Sequence, residues 1–192
     1  MPLPQLALHA DQRAELVEAF ASTFASVQKY FDVVDAKNDD AMEVARSIET
    51  SLAGVLHSSD TDCEYYPCIL SGPEPTSDAF FASLGVTRDA RCTMSGWDNP
   101  KLEVIRAGTG VGERSAFGLL TRLGDYEVEH WDEYVTNEEK VLLDAAIAKL
   151  EQAGPIVGIQ LCTDDSVAKL VLTLARRPDG RHVGVLTVRI ET

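Results

Sequence analysis

Hydrophobic positions fall along the chain in three regimes. In the first, Leu16, Phe20, Phe24, Val27, Phe31 and Val34 stand 4, 4, 3, 4 and 3 residues apart, the stripe of one amphipathic helix with Asp11 as its N-cap. The segment before it, ending at His9, reads as a disordered start. After the polar break Lys37-Asn38-Asp39-Asp40, Asp40 and Glu43 form a capping-box-like start to a second helix that carries Val44, Ile48, Leu52 and Val55. From Ser58 the period changes: a polar loop leads into Tyr65-Tyr66-Pro67-Cys68-Ile69-Leu70, a strand that Pro67 assigns to an edge or a bulge. Gly72-Pro73-Glu74-Pro75 breaks the chain, Thr76 or Ser77 caps a short helix, and Gly85 ends it.

The second regime is mixed and the third is β-rich. Residues 101–106 alternate as a strand does, and a short apolar helix follows around Phe117-Gly118-Leu119-Leu120. An acidic linker from Asp125 to Glu133 precedes a helix opened by the box Thr136/Glu139 and stopped by Gly154-Pro155. Three strands remain, over residues 156–161, 169–174 and 183–190, the last two joined by Arg177-Pro178-Asp179-Gly180. With no repeat and no long linker, the pattern predicts one α/β domain with mixed or antiparallel strands.

Charge narrows the functions open to such a domain. The 192 residues carry 31 acidic side chains against 17 basic, a formal charge of −14. A surface this acidic repels phosphate backbones and anionic lipid, so contact with nucleic acid or a membrane surface is disfavoured and a basic partner is attracted. Residues 1–9 show neither the basic region nor the long apolar region of a signal peptide, and no apolar run reaches the ~18–20 residues of a membrane helix. Cys63, Cys68, Cys92 and Cys162 form no CxxC pair and read as reduced thiols of a cytoplasmic protein, with Cys63 and Cys68 able to pair only in an oxidising compartment.

Candidate catalytic and metal motifs are incomplete. Gly108-Thr109-Gly110-Val111-Gly112 has glycines but neither the dinucleotide fingerprint nor a following Lys, and reads as a turn. Asp60, Asp62 and Glu64 occupy the first three ligand positions of a calcium loop, but Tyr65 replaces the turn Gly and Ser71 the bidentate Glu. His9, His57, His130 and His182 make no zinc motif, and no GxSxG elbow or Cys-His signature occurs, so no cofactor is expected. Trp131 stands out within Glu127-Val128-Glu129-His130-Trp131-Asp132-Glu133: either it folds back onto the core, or it is an aromatic anchor in a charged rim, the composition of an interface hot spot. Trp97 poses the same choice.

Several segments together resemble the nuclease A inhibitor family, small acidic inhibitors of sugar-nonspecific nucleases. Pro178-Asp179-Gly180-Arg181-His182-Val183-Gly184, the apolar strand with internal Thr187 and the closing Glu191-Thr192 are similar to that family's C-terminal turn and strand. Ser59-Asp60-Thr61-Asp62 resembles its acidic loop, with Cys63-Glu64-Tyr65 inserted before Tyr66-Pro67. Pro75-Thr76 through Phe80 and Phe81 to Gly85 resembles its short helix, and Trp131 with Glu138-Glu139 its acidic Trp segment. The resemblance spans roughly residues 42–192. It implies a three-layer α/β/α sandwich over residues 38–192, with residues 1–37 left as a helical extension packing on it. It also implies a binding mode in which Thr192 approaches the Mg²⁺ region of a nuclease, Asp60 meets an active-site basic group and Trp131 packs at the interface. Asp62 and Glu191 are neighbours in that contact.

Elementary chemistry agrees with such a mode. A nuclease cleft is a basic groove around a metal, and carboxylates can compete there for the place of a phosphodiester. The α-carboxylate expected at Thr192, beside a hydroxyl, is a hard-oxygen group suited to Mg²⁺ or its waters. Two other readings stand beside it: a metal-dependent hydrolase built on Asp60, Asp62 and Glu64 with a histidine such as His57, and a scaffold with the same fold but a different partner, assembling through Phe20, Phe24 and Phe31.

Overall fold

The computed structural model describes residues 2–57, 62–94, 97–163 and 168–190. Its elements run β1 (Gln5–Leu8), α1 (Ala10–Ala19), α2 (Ala21–Val27), β2 (Asp32–Asp35), α3 (Asp40–Ser51), β3 (Tyr66–Ser71), α4 (Asp78–Ser83), β4 (Arg91–Met94), β5 (Trp97–Pro100), β6 (Leu102–Arg106), α5 (Ala116–Thr121), α6 (Asp125–Glu129), a 3₁₀ turn (Trp131–Glu133), α7 (Asn137–Ala153), β7 (Ile156–Cys162), β8 (Ala168–Arg176) and β9 (His182–Ile190). Seven strands form one sheet in the order β2-β1-β3-β9-β8-β7-β6, while β4 and β5 make a separate hairpin. Only β1 and β2 pair in parallel; every other pair of the large sheet is antiparallel.

Helices cover both faces, so the protein is a mixed α+β, three-layer α/β/α sandwich. Strand alternation divides the core accordingly. Leu6, Leu8, Cys68, Leu70, Leu170, Leu172, Leu174 and Leu186 point to one face and pack with Leu16, Phe24, Val27, Phe31 and Phe80 of the α1, α2 and α4 side. Ile156, Ala175 and Val185 point to the other and meet Ile48 and Leu52 of α3, Leu119 and Leu120 of α5, and Leu143, Ala146 and Leu150 of α7.

Local chemistry explains the helix ends. Asp39 caps α3, one residue before the predicted cap, its carboxylate accepting from the Ala41 and Met42 amides at 3.0 and 3.1 Å. Thr136 and Glu139 form the predicted box: the Glu139 carboxylate accepts from Thr136 N at 2.8 Å and Thr136 Oγ1 accepts from Glu139 N at 3.2 Å. Ser77 Oγ accepts from Phe80 N at 3.2 Å to open α4. Gly154 ends α7 with a φ of 149°, a conformation that favours glycine, and a Cβ there would sit 1.9 Å from Arg176 O.

The N-terminal segment corrects the predicted long helix. The stripe breaks at Phe20 (φ −130°, ψ 46°), and Phe31 and Val34 belong to the turn and strand after α2. His9 is the N-cap of α1, without a side-chain cap bond, and Asp11 lies in its first turn. Residues 5–8 form an inner strand between β2 and β3, so residues 1–37 contribute to the sheet as well as to a helical layer. Phe24 and Phe31 are buried in the core, and an assembly stripe built on them is not exposed. β3 is likewise an inner strand rather than an edge; Pro67 is tolerated because β1 ends opposite Cys68 and leaves the proline paired on one side only, with Val185.

Candidate partner-binding surface

The acidic loop is anchored to the end of β9. His57 and Cys63 exchange backbone hydrogen bonds at 2.7 and 3.2 Å, closing the loop at its base. Thr187 Oγ1 donates to Glu64 O at 2.8 Å, and Cys63 packs with Val188 and Ala168. Asp62 is exposed at this junction. Asp60, Glu191 and Thr192, the other predicted contacts of loop and tail, lie outside the described residues.

Beside this junction opens a cleft of about 440 Å³, walled by the loop, α5, α6, the start of α7 and Arg189 of β9. Its carboxylates are Asp62, Glu127 and Glu139, and its guanidiniums are Arg122 and Arg189. One Glu127 oxygen accepts from Gly124 N at 2.7 Å, and Glu139 is held by Thr136, so both acids are oriented by the helix starts they cap. Arg122 adopts the left-handed conformation (φ 63°) at the end of α5, with its side chain 5% exposed and Nη2 donating to Glu103 at 2.7 Å. Burial lowers the pKa of this guanidinium, and the Glu103 carboxylate opposes the shift.

Two exposed apolar side chains, Leu56 and Tyr134, stand on the rim of the cleft. Tyr134 is 47% exposed, and its phenol pKa is pushed up by partial desolvation and then by Glu127 and Glu133. Nearby on α6, Tyr126 is 65% exposed and stacks on His130 with ring centroids 4.2 Å apart. Neither tyrosine stands out from the hydrophobic pattern, although Tyr126 lies within the acidic run that holds Trp131 and Tyr134 directly follows it.

Trp131 belongs to a 3₁₀ turn and is half-buried. It packs against the cluster of Phe117, Leu120 and Leu143, and the Lys140 ammonium sits 5.4 Å from its ring and 5.0 Å from Phe117. The ring therefore closes the core with part of its surface and leaves the rest accessible. That segment is helical over residues 125–129 rather than a linker, and Trp97 stands in β5.

The histidine proposed for a metal site is turned inward. His57 is buried, its Nδ1 3.3 Å from the Tyr65 hydroxyl, which donates to Leu120 O at 3.0 Å. Among the described residues no three His, Cys, Asp or Glu side chains come together to hold a metal ion. Cys63 and Cys68 are buried thiols whose pKa values are raised by desolvation. Gly110 N donates to Glu113 at 2.9 Å, making the glycine segment an exposed turn. Among the described residues no helix is long and apolar enough to cross a membrane. No protein-family model matches the chain, and no curated protein matches it.

Proposed function

We propose that this protein is a cytoplasmic inhibitor of a sugar-nonspecific, Mg²⁺-dependent nuclease, which it blocks by occupying the active site without chemistry of its own. One observation carries the reading most: the strand-leading segment that carries the exposed Asp62 is tied to β9 by the Thr187–Glu64 hydrogen bond, beside a cleft whose rim presents Leu56 and Tyr134 among carboxylates. Apolar anchors within a charged rim are the composition of an affinity-determining contact. The segments contiguous in sequence with it, Ser59-Asp60-Thr61-Asp62 and Glu191-Thr192, are among those that resemble the nuclease A inhibitor family, and the α/β/α architecture agrees with that resemblance.

In this reading Asp60 and Asp62 meet basic groups of the nuclease, and Glu191-Thr192 approaches the nuclease's Mg²⁺. Tyr134, with the accessible part of Trp131, excludes water around those contacts. The charge of −14 speeds the encounter with a basic groove. The test is titration of the protein into several ββα-metal nucleases acting on plasmid DNA. Inhibition saturating near one equivalent supports the reading; undiminished cleavage by all of them at stoichiometric excess overturns it.

A further inference from the structure

At one end of the large sheet, polar residues occupy a face that is otherwise apolar. The face carrying Leu102 and Val104 in β6, Leu172 and Leu174 in β8 and Leu186 in β9 continues to Arg106, Arg176 and His182. The ladder places Arg106 opposite Val157 and Arg176 opposite His182. The loop before α4 adds Glu74 and Thr76, enclosing with them a cavity of about 260 Å³. Polar side chains where alternation calls for core are expected at functional rather than structural positions.

The contacts there leave donors to spare. His182 is 2% exposed, and its Nε2 has no hydrogen-bond partner, lying 3.6 Å from a Glu74 oxygen that is itself 3.1 Å from Arg176 Nε. Arg106 donates through Nη2 to the Thr76 hydroxyl at 2.9 Å, and among the described residues its guanidinium has no carboxylate partner. The Thr76 carbonyl accepts from Arg88 at 2.8 Å, and Arg88 is paired with Asp78 at 2.9 Å. Three guanidiniums thus meet two carboxylates in a protein whose overall charge is −14. The local sign is reversed.

We propose that this cavity binds a compact oxyanion, inorganic phosphate or a phosphate monoester, held by the guanidiniums of Arg106 and Arg176 with the Thr76 hydroxyl and the His182 imidazole as further donors. A guanidinium fork matches two oxygens of a tetrahedral anion, and a neutral imidazole donates one hydrogen bond through its protonated nitrogen. Glu74 touches both Arg176 and His182 through one oxygen, so it orients them while Arg106 supplies the uncompensated charge. His182 and Arg189 are seven residues apart along β9, ~23 Å at ~3.3 Å per residue, so the site is separate from the cleft assigned to the nuclease.

The test is an NMR titration of the full chain with inorganic phosphate and, separately, methyl phosphate at constant ionic strength, following the imidazole resonances of all four histidines. The expected result is a saturable shift at His182 in the millimolar range or tighter, with its titration midpoint raised by an anion placed among Arg106, Arg176 and Glu74. Tighter binding of methyl phosphate assigns the ester, and tighter binding of phosphate the free ion. Arg106→Gln weakens binding about tenfold or more, and Arg106→Lys, which keeps charge but not the fork, falls between it and wild type. Thr76→Val gives a second, independently folded weakening. The proposal is overturned if neither ligand gives a saturable shift by ~20 mM, if chloride reproduces it, or if Arg106→Gln and Thr76→Val both bind as wild type does.

Discussion

Tyr65 shows how much one buried hydroxyl carries. It donates to Leu120 O at 3.0 Å and lies 3.3 Å from His57 Nδ1, joining the base of the acidic loop to α5. Tyr65→Phe keeps the ring and strands the carbonyl, so stability should fall by about 1–2 kcal/mol, read as a lower urea midpoint at unchanged m. Tyr134 provides the contrast, because its ring is half in solvent and supports little of the core. Tyr134→Ala should leave the unfolding free energy in urea within about 0.5 kcal/mol of wild type yet weaken nuclease inhibition by about 30-fold, the loss of a ~2 kcal/mol anchor. Asp62→Lys should slow association and flatten its salt dependence, since it reverses charge on the rim. Stopped-flow inhibition kinetics at two ionic strengths separates the two effects.

At the scale of elements, the parts legible in the sequence were those specified by local chemistry. The Thr136/Glu139 box, the Gly154-Pro155 stop and the Asp179-Gly180 turn each fix a boundary by hydrogen bonding or by φ, and α7, β7, β8 and β9 fall where these residues put them. Thr136→Ala should accordingly cost about 1 kcal/mol in urea unfolding, with the helix retained by Leu143, Ala146 and Leu150. What misled was periodicity without punctuation. Leu16 to Val34 keeps helical spacing across a break at Phe20 and into a strand, and four-residue β1 is too short to show an alternation. Its strand character comes from pairing with residues 32–35 and 68–71, distant partners that no local window contains. For the candidate site, the acids and Trp131 were visible as composition, whereas the Tyr134 rim and the buried Arg122 arise only when α5, α6 and β9 converge.

For the molecule as a whole, acidity makes stability depend on pH through a few groups rather than through the charge total. Arg181 binds the Asp39 carboxylate at 2.6 Å and the Asp179 carboxylate at 2.9 Å, clamping the β8–β9 turn to the start of α3. The Arg181 side chain chiefly holds the Asp39 pKa below its ordinary value, and the Arg181 backbone amide chiefly does so for Asp179. Both carboxyls protonate in the unfolded chain first, near the ordinary value of about 3.9, so their stabilisation is complete above that pH and is lost as pH falls through the folded values. His182 acts in the same direction by a different cause: burial lowers its pKa despite Glu74, so the unfolded chain takes up its proton first, near about 6.5. Acidification should therefore weaken the fold in two stages, one beginning below about pH 6.5 and one below about pH 4. In urea titrations from pH 8 to 3, His182→Gln should remove slope only from the upper stage. Arg181→Ala should reduce it only in the lower, and incompletely, because the backbone amide at position 181 still bonds Asp179. Parallel wild-type and His182→Gln curves between pH 7 and 5 would show that the imidazole titrates alike in the folded and unfolded chains, and that burial beside Glu74 and Arg176 leaves its proton affinity unchanged.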